Sequence, residues 1–146
     1  MPRMNEGEAR RLFADARVAR LAGVRPEGRP HLVPVTFALW DDTVVTAVDH
    51  KPKRTHELRR LANIRAHPAV CLLADAYDED WGALWWVRAD GTARIEDPPD
   101  RPPGAAPRLH PALAPLRAKY PQYARNPPDG PVILVTVERW QGWRSR

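Results

Sequence analysis

The chain of 146 residues lacks most of the side chains that catalyse reactions unaided, since it has one serine, Ser145, and one cysteine, Cys71. Ser145 is the last residue but one, which excludes an ordinary serine nucleophile with a histidine partner. Cys71 has no second cysteine to pair with in the chain, as is typical of proteins in a reducing cytoplasm. There is no run of about 18 apolar residues and no signal-peptide pattern at the N-terminus. We therefore expect a cytoplasmic protein of one domain, residues 1–146, without membrane contact.

Metal and phosphate-loop motifs are missing as well. His56-Glu57 would need a second histidine at position 60 to form a zinc-peptidase helix, and Arg60 stands there. There is no glycine-rich phosphate loop, and the acidic segment over 75–82 is interpreted as a solvated loop. No catalytic side chain and no metal site are therefore predicted.

The pattern of apolar residues predicts a mainly β protein with flanking helices. The N-terminal half is expected to hold a helix over 6–16, strands over 18–24, 31–39 and 43–48, and a helix over 55–64 with Thr55 as its N-cap. The turn at Pro26-Glu27-Gly28 makes the first two strands a hairpin.

The C-terminal half is predicted to continue the sheet. Its expected elements are a strand over 70–74, a strand over 83–96, a proline-rich irregular arm over 97–107, a helical stretch over 110–125 broken at Pro115 and Pro121, and a strand over 132–140. The strand over 70–74 is apolar throughout and is expected to be buried on both faces. Asp90-Gly91 is interpreted as a bulge within one long strand rather than as a hairpin turn. Five or six mostly antiparallel strands with one intervening helix are typical of a small closed barrel.

Positive charge is concentrated at one turn. The chain has three lysines, and two of them lie in His50-Lys51-Pro52-Lys53-Arg54, directly before the predicted second helix. Cations destabilise a helix N-terminus, whereas an anion is bound well there. The turn is therefore predicted to hold a phosphate or carboxylate, with Arg59 and Arg60 one turn further on. The alternative is a solvated basic turn.

Two further features are candidates for a binding site. Pro34 interrupts an apolar strand, which places it at an edge or a bulge, where backbone groups can face a planar ring; the alternative is an ordinary edge strand. Trp85 and Trp86 are adjacent in a strand and so point to opposite faces. One indole is expected in the core, and the other is free to cover a cofactor or to cross a dimer interface.

Three segments together resemble a known family. They are "GRPHLVPV", the basic turn with the helix that follows it in "VDHKPKRTHELRRLANIRAHPAV", and "VRADGTA". With them the chain resembles, over about residues 8–95, the split β-barrel superfamily of pyridoxamine-phosphate-oxidase-like flavoproteins. More narrowly, it is similar to the branch of probable coenzyme F420 (deazaflavin)-dependent enzymes.

The resemblance implies an FMN-binding split β-barrel fold and a homodimer with two cofactor sites at its interface. The cofactor ring would lie against the second strand and the phosphate tail would bind the basic turn, with an indole of the partner subunit closing the site. The implied cofactor-binding residues are Val33, Pro34, Val35, Thr36, Val48, Asp49, His50, Lys51, Lys53, Arg54, Arg60, Trp85 and Trp86.

The implied function is that of an oxidoreductase that moves a hydride between F420 and an unknown small molecule, with the chemistry carried by the cofactor. One alternative is an FMN-binding flavoprotein with the same fold. Another is a basic barrel that binds single-stranded nucleic acid. The concentration of cations in one turn speaks against nucleic acid, so no nucleic-acid partner is expected.

Overall fold

The computed structural model describes residues 3–48, 54–106 and 108–145, and for residues 54–58 it describes the backbone alone. The helices are α1 (Glu6–Asp15), α2 (Arg54–Ala66), α3 (Leu113–Lys119) and α4 (Pro121–Arg125). The strands are β1 (Ala19–Val24), β2 (Pro30–Val35), β3 (Ala38–Trp40), β4 (Thr43–Ala47), β5 (Ala69–Ala76), β6 (Trp85–Glu96) and β7 (Val132–Arg144). The described part of the chain is thus mainly β with a few helices, as the sequence predicts.

All the strands belong to one antiparallel sheet of seven, in the order β2-β1-β5-β6-β7-β4-β3. The sequence predicts five or six strands, and the difference arises at residues 31–39. This segment was expected to be one strand, but it forms β2 and β3, which lie at opposite edges of the sheet.

The break between β2 and β3 has a clear physical cause. Side chains satisfy the backbone groups of the two connecting residues, because the Thr46 hydroxyl donates to the Thr36 carbonyl oxygen at 2.8 Å and the Phe37 N–H donates to the Tyr120 hydroxyl at 3.1 Å. Three Cα steps separate Val35 from Ala38, so the two ends are at most about 11 Å apart. The sheet therefore curls until its edges approach each other at Thr36 and Phe37.

Strand β5 is buried on one face, which corrects the prediction of burial on both. Val70, Leu72 and Ala74 are buried, whereas Cys71 and Leu73 are partly exposed. The reason is that α1 and α2 contribute to the same hydrophobic cluster as Leu72 and Ala74, so the helices cover one side of the sheet.

The long strand β6 contains the predicted bulge. Its pairing with β7 shifts between Asp90 and Gly91, so the interpretation as a bulge is confirmed and the hairpin alternative is wrong. Gly91 is required there because a Cβ at this position would overlap the Thr136 carbonyl oxygen on β7.

Two hydrophobic clusters fix the helices around the sheet. In the larger cluster Phe13 of α1 packs 4.7 Å from Phe37 and 5.2 Å from Trp140, measured between ring centroids. In the smaller one Leu113 and Leu116 of α3 are buried together with residues of β4 and β7. The second cluster holds α3, and with it α4, over β4 and the edge strand β3.

Two helix boundaries differ from the predictions. Helix α2 begins at Arg54, so Thr55 lies within the helix and is not its N-cap. Pro115 does not break the third helix, because a proline in the first turn costs no intrahelical hydrogen bond. Pro121 does separate α3 from α4.

Candidate functional site

The basic turn that the sequence singles out falls largely outside the described residues. Asp49, His50, Lys51 and Lys53 belong to the segment 49–53, and Arg54 is described only as the first backbone residue of α2. The prediction that this turn binds an anion therefore stays a prediction.

Four of the other predicted residues line one cavity of about 250 Å³. They are Pro34, Val35 and Thr36, at the end of β2, and Arg60, in the middle of α2. Arg60 is distant in sequence from the other three, and the packing of α2 on the sheet brings it to the end of β2. The two features that were singled out separately, the proline-containing strand and the helix that follows the basic turn, thus share one cavity.

Three residues of this cavity were not predicted: Thr46, Ala47 and Tyr123. Thr46 and Ala47 end β4, and Tyr123 lies on α4. The sequence carries a weak signal for Thr46, a polar residue near the end of a strand of β-branched residues. In the structure its side chain is buried. It carries none for Tyr123, because 87 positions separate this residue from Thr36.

The polar side chains that line the cavity carry three hydroxyls and one guanidinium. The Tyr123 hydroxyl lies 2.7 Å from Oγ1 of Thr36, and the Thr46 hydroxyl donates to the Thr36 carbonyl oxygen. Among the described residues that line the cavity, Arg60 is the only charged one and none is acidic. This combination favours a ligand that carries oxygen acceptors and negative charge.

A second cation lies close to the cavity but belongs to the core. Lys119 Nζ is 3.8 Å from the centroid of the Phe37 ring and donates to the Ala16 carbonyl oxygen at 2.6 Å. Burial, together with the nearby Arg17 guanidinium, lowers the pKa of Lys119 to about 8. Lys119 therefore holds α3 against the C-terminal end of α1 and is not among the residues that line the cavity.

The remaining predicted residues lie elsewhere. Val48 is buried in the larger cluster, and Val33 and Trp85 pack against it from partly buried positions. Trp86 points to the other face of the sheet, where it lines a shallow pocket with Leu73, Tyr77 and Arg88. The prediction that the two indoles face opposite ways is confirmed, and Trp85 is the one that packs on the core.

The outer face of β1, β5 and β6 contains a larger cavity of about 490 Å³. Its lining includes Ala22, Val24, Cys71 and Asp90. Burial raises the pKa of the Cys71 thiol, and the Asp90 carboxylate adds to the rise. Leu32, which pairs with Ala22 on this face, is 65% exposed.

Within residues 3–48, 54–106 and 108–145, no three histidine, cysteine or acidic side chains are grouped so as to hold a metal ion. None of the helices in this part of the chain is both long and apolar enough to cross a membrane.

The fold is similar to that of several solved structures. A conserved hypothetical protein of Mycobacterium tuberculosis superposes with a TM-score of 0.68 at 22% identity, and the match covers 98% of this chain and 86% of that one. An FAD-binding protein of Mycobacterium smegmatis gives 0.61 at 18% identity, with 99% and 98% covered. An FAD-binding protein of Mesorhizobium loti gives 0.65 at 18% identity, with 97% and 95% covered.

Sequence comparison assigns the family directly. No curated protein matches the chain by sequence. The family described as pyridoxamine 5'-phosphate oxidase matches residues 6–144, which is nearly the whole chain. The superfamily expected from the three sequence segments is thereby confirmed, and the chain belongs to the pyridoxamine 5'-phosphate oxidase family.

Proposed function

We propose that this chain is an oxidoreductase that binds a phosphorylated flavin-type cofactor in the cavity between β2, β4, α2 and α4. The observation that carries the proposal is the meeting of Pro34, Val35 and Thr36 with Arg60 around one cavity. A flavin-type cofactor has a planar ring and an anionic tail, and these residues provide an apolar wall and a cation.

The residues present fit such a cofactor. Pro34, Val35 and Ala47 are the apolar residues of the lining, while the hydroxyls of Thr36 and Tyr123 supply hydrogen bonds. The guanidinium of Arg60 provides the positive charge that a phosphate requires. When bound, the cofactor supplies the hydride chemistry, so the chain needs only to bind it, orient it and exclude water.

The choice of cofactor separates two forms of this proposal. The deazaflavin F420 is proposed because of the resemblance to the branch of F420-dependent enzymes, and its longer anionic tail would use Lys51, Lys53 and the exposed Arg59. FMN is supported about as well as F420, because two of the similar structures are FAD-binding proteins and FAD contains an ordinary flavin.

We also propose that the protein is a homodimer that forms through the outer face of β1, β5 and β6. This face presents the exposed Leu32 and the partly exposed Leu73 and Trp86. The cavity at Thr36 is, at about 250 Å³, smaller than the roughly 300–1,000 Å³ of ordinary ligand sites, so further walls are needed. A second copy of the chain is proposed to supply them.

Titration of the purified protein with F420, FMN and FAD tests the function, with tryptophan fluorescence as the readout. Micromolar binding of F420 but not of FMN supports the deazaflavin form, and the reverse result supports the flavin form. Binding of none of the three would overturn the proposal. Tight and steeply salt-dependent binding of an oligonucleotide in that case would indicate a nucleic-acid-binding barrel.

A further inference from the structure

The two tyrosines of the α3–α4 segment have hydroxyls in different situations. The Tyr120 hydroxyl is fully used inside the protein, since it accepts from the Phe37 N–H and lies 2.8 Å from the Arg17 carbonyl oxygen and 3.0 Å from that of Phe37. The Tyr123 hydroxyl bonds to Oγ1 of Thr36 alone among the described residues.

The Thr36–Tyr123 pair retains one hydroxyl proton that the bond between the two residues does not use. Each hydroxyl has one proton to donate, and a single hydrogen bond between two hydroxyls uses only one of the two protons. Among the described residues, none accepts the second proton. Because both hydroxyls line the cavity, that proton is available to a molecule bound there.

The position of the pair is held rigidly from the protein side. Arg117 of α3 donates from Nε to the Tyr123 carbonyl oxygen at 3.3 Å and from its terminal nitrogen to the Ala124 carbonyl oxygen at 2.9 Å. The rings of Tyr120 and Tyr123 pack edge to face, 5.6 Å apart. Tyr123 is therefore placed at the cavity before any ligand arrives.

We propose that helix α4 forms one wall of the binding site, that Thr36 donates its hydroxyl proton to Tyr123, and that the Tyr123 hydroxyl donates its own proton to an anionic oxygen of the bound molecule. Arg60 contacts the same anionic group of the ligand. The ligand chemistry is that of a phosphate. The identification of this phosphate with that of a cofactor rests on the proposed function, whereas the anion-donor role of Tyr123 does not.

The experiment compares Tyr123→Phe with Tyr120→Phe, a matched control that removes the same atom from a neighbouring tyrosine outside the cavity. Each protein is titrated with FMN and with riboflavin, which has the same ring and ribityl chain but no phosphate. For Tyr123→Phe we expect affinity for FMN to fall roughly 10- to 100-fold, as for a hydrogen bond to a charged group, and affinity for riboflavin to be unchanged. Tyr120→Phe is expected to change neither affinity.

Two outcomes would overturn this role. If Tyr123→Phe binds FMN like the wild type, the hydroxyl does not contact the ligand. If it loses FMN and riboflavin equally, the hydroxyl contacts the ring or the ribityl chain and the assignment to an anion is wrong.

A separate experiment adds inorganic phosphate and measures the thermal unfolding midpoint. It tests the role of Tyr123 even if no cofactor binds. Phosphate is expected to raise the midpoint of the wild type and of Tyr120→Phe more than that of Tyr123→Phe. Equal shifts in all three proteins would overturn the inference, while a wild type that responds to phosphate but binds no cofactor would overturn only the proposed function.

Discussion

The hydroxyl of Tyr123 lies 2.7 Å from Oγ1 of Thr36, across a separation of 87 residues. Thr36 connects the two edge strands β2 and β3, and Tyr123 lies on the short helix α4. The contact therefore joins the point where the sheet edges approach each other to a helical segment that follows the proline-rich arm. It also brings a C-terminal residue to a cavity otherwise built from the N-terminal half of the chain.

Removing the hydroxyl of Tyr120 is expected to destabilise the fold more than removing that of Tyr123. Tyr120→Phe leaves the Phe37 N–H without its acceptor and removes the one proton that the hydroxyl shares between the Arg17 and Phe37 carbonyl oxygens, at a cost of about 1–3 kcal/mol in the free energy of unfolding. Tyr123→Phe loses one hydroxyl–hydroxyl bond and is expected to cost about 0.5–1.5 kcal/mol. Urea denaturation of both variants measures the difference, and the reverse order would contradict the hydrogen bonding described here.

Substitution of Gly91 tests the bulge in β6. A Cβ at Gly91 would overlap the Thr136 carbonyl oxygen, so Gly91→Ala is expected to destabilise by about 1–3 kcal/mol through overpacking. Gly23→Ala is the matched control, because a Cβ there meets nothing within 4 Å. That variant is expected to be neutral or stabilising by about 0.5–1 kcal/mol, since glycine is unfavourable within a strand. Thermal unfolding compares the two, and equal effects would mean that the bulge does not need glycine.

The partly buried amine of Lys119 is expected to make the free energy of unfolding depend on pH. Its pKa is about 8 in the folded protein, against an ordinary value of 10.5, so between these values the unfolded chain binds more protons. Stability therefore rises with pH through this window, and below about pH 8 the cost of burying the charged amine is present in full. Relative to Lys119→Gln, the wild type is expected to gain unfolding free energy between about pH 8 and 10.

Urea denaturation at several pH values checks this difference between the two proteins. The comparison should stop near pH 10, because burial raises the pKa of Tyr120 and the ionisation of tyrosine in the unfolded chain then opposes the lysine. A difference that stays constant from pH 7 to 10 would show that the amine is not desolvated.

The proposed dimer is tested by placing a charge on the outer sheet face. Leu73 pairs with Arg20 on β1 and with Arg88 on β6. Leu73→Glu is therefore expected to be tolerated in the monomer, because the carboxylate lies between two arginines. In an interface the same charge would be desolvated, so the variant is expected to be monomeric.

Sedimentation equilibrium measures the oligomeric state and circular dichroism confirms the fold. Trp40→Gln serves as the control, because Trp40 is also an exposed apolar residue, 59% accessible, but lies on the edge strand β3. A monomeric wild type, or a dimer that survives Leu73→Glu, would contradict the proposed interface.

The basic turn is tested by removing its two lysines together. Lys51→Ala with Lys53→Ala is expected to weaken cofactor binding by about 1.5–3 kcal/mol for each charged hydrogen bond that is lost, without unfolding the domain. Arg101→Ala with Arg108→Ala removes the same charge from two exposed positions, one within the proline-rich arm and one just after it, and is expected to leave affinity unchanged. Fluorescence titration with FMN and F420 gives the affinities, and equal binding by both double variants would make the turn a solvated surface.

Local patterns in the sequence were enough for most of the fold. The helix α1, the hairpin of β1 and β2, the bulge at Gly91 and the buried strand β7 each depend on residues close together in the chain. Periodicity and turn chemistry report on such neighbours directly. The segment 31–39 was predicted wrongly because a mostly apolar run looks the same whether it stays in one strand or passes between two. The hydroxyls of Thr46 and Tyr120, both outside that run, impose the break.

The sequence by itself determined the family, the proline-containing segment around Pro34 as a candidate site and the candidate cation Arg60. Only the tertiary structure decided that these residues share a cavity, that Trp85 faces the core while Trp86 faces outward, and that Tyr123 completes the wall beside Thr36. The physical reason is that side-chain hydrogen bonds between distant segments depend on how the sheet curls and where α3 packs. Neither is encoded in the spacing of residues along a single segment.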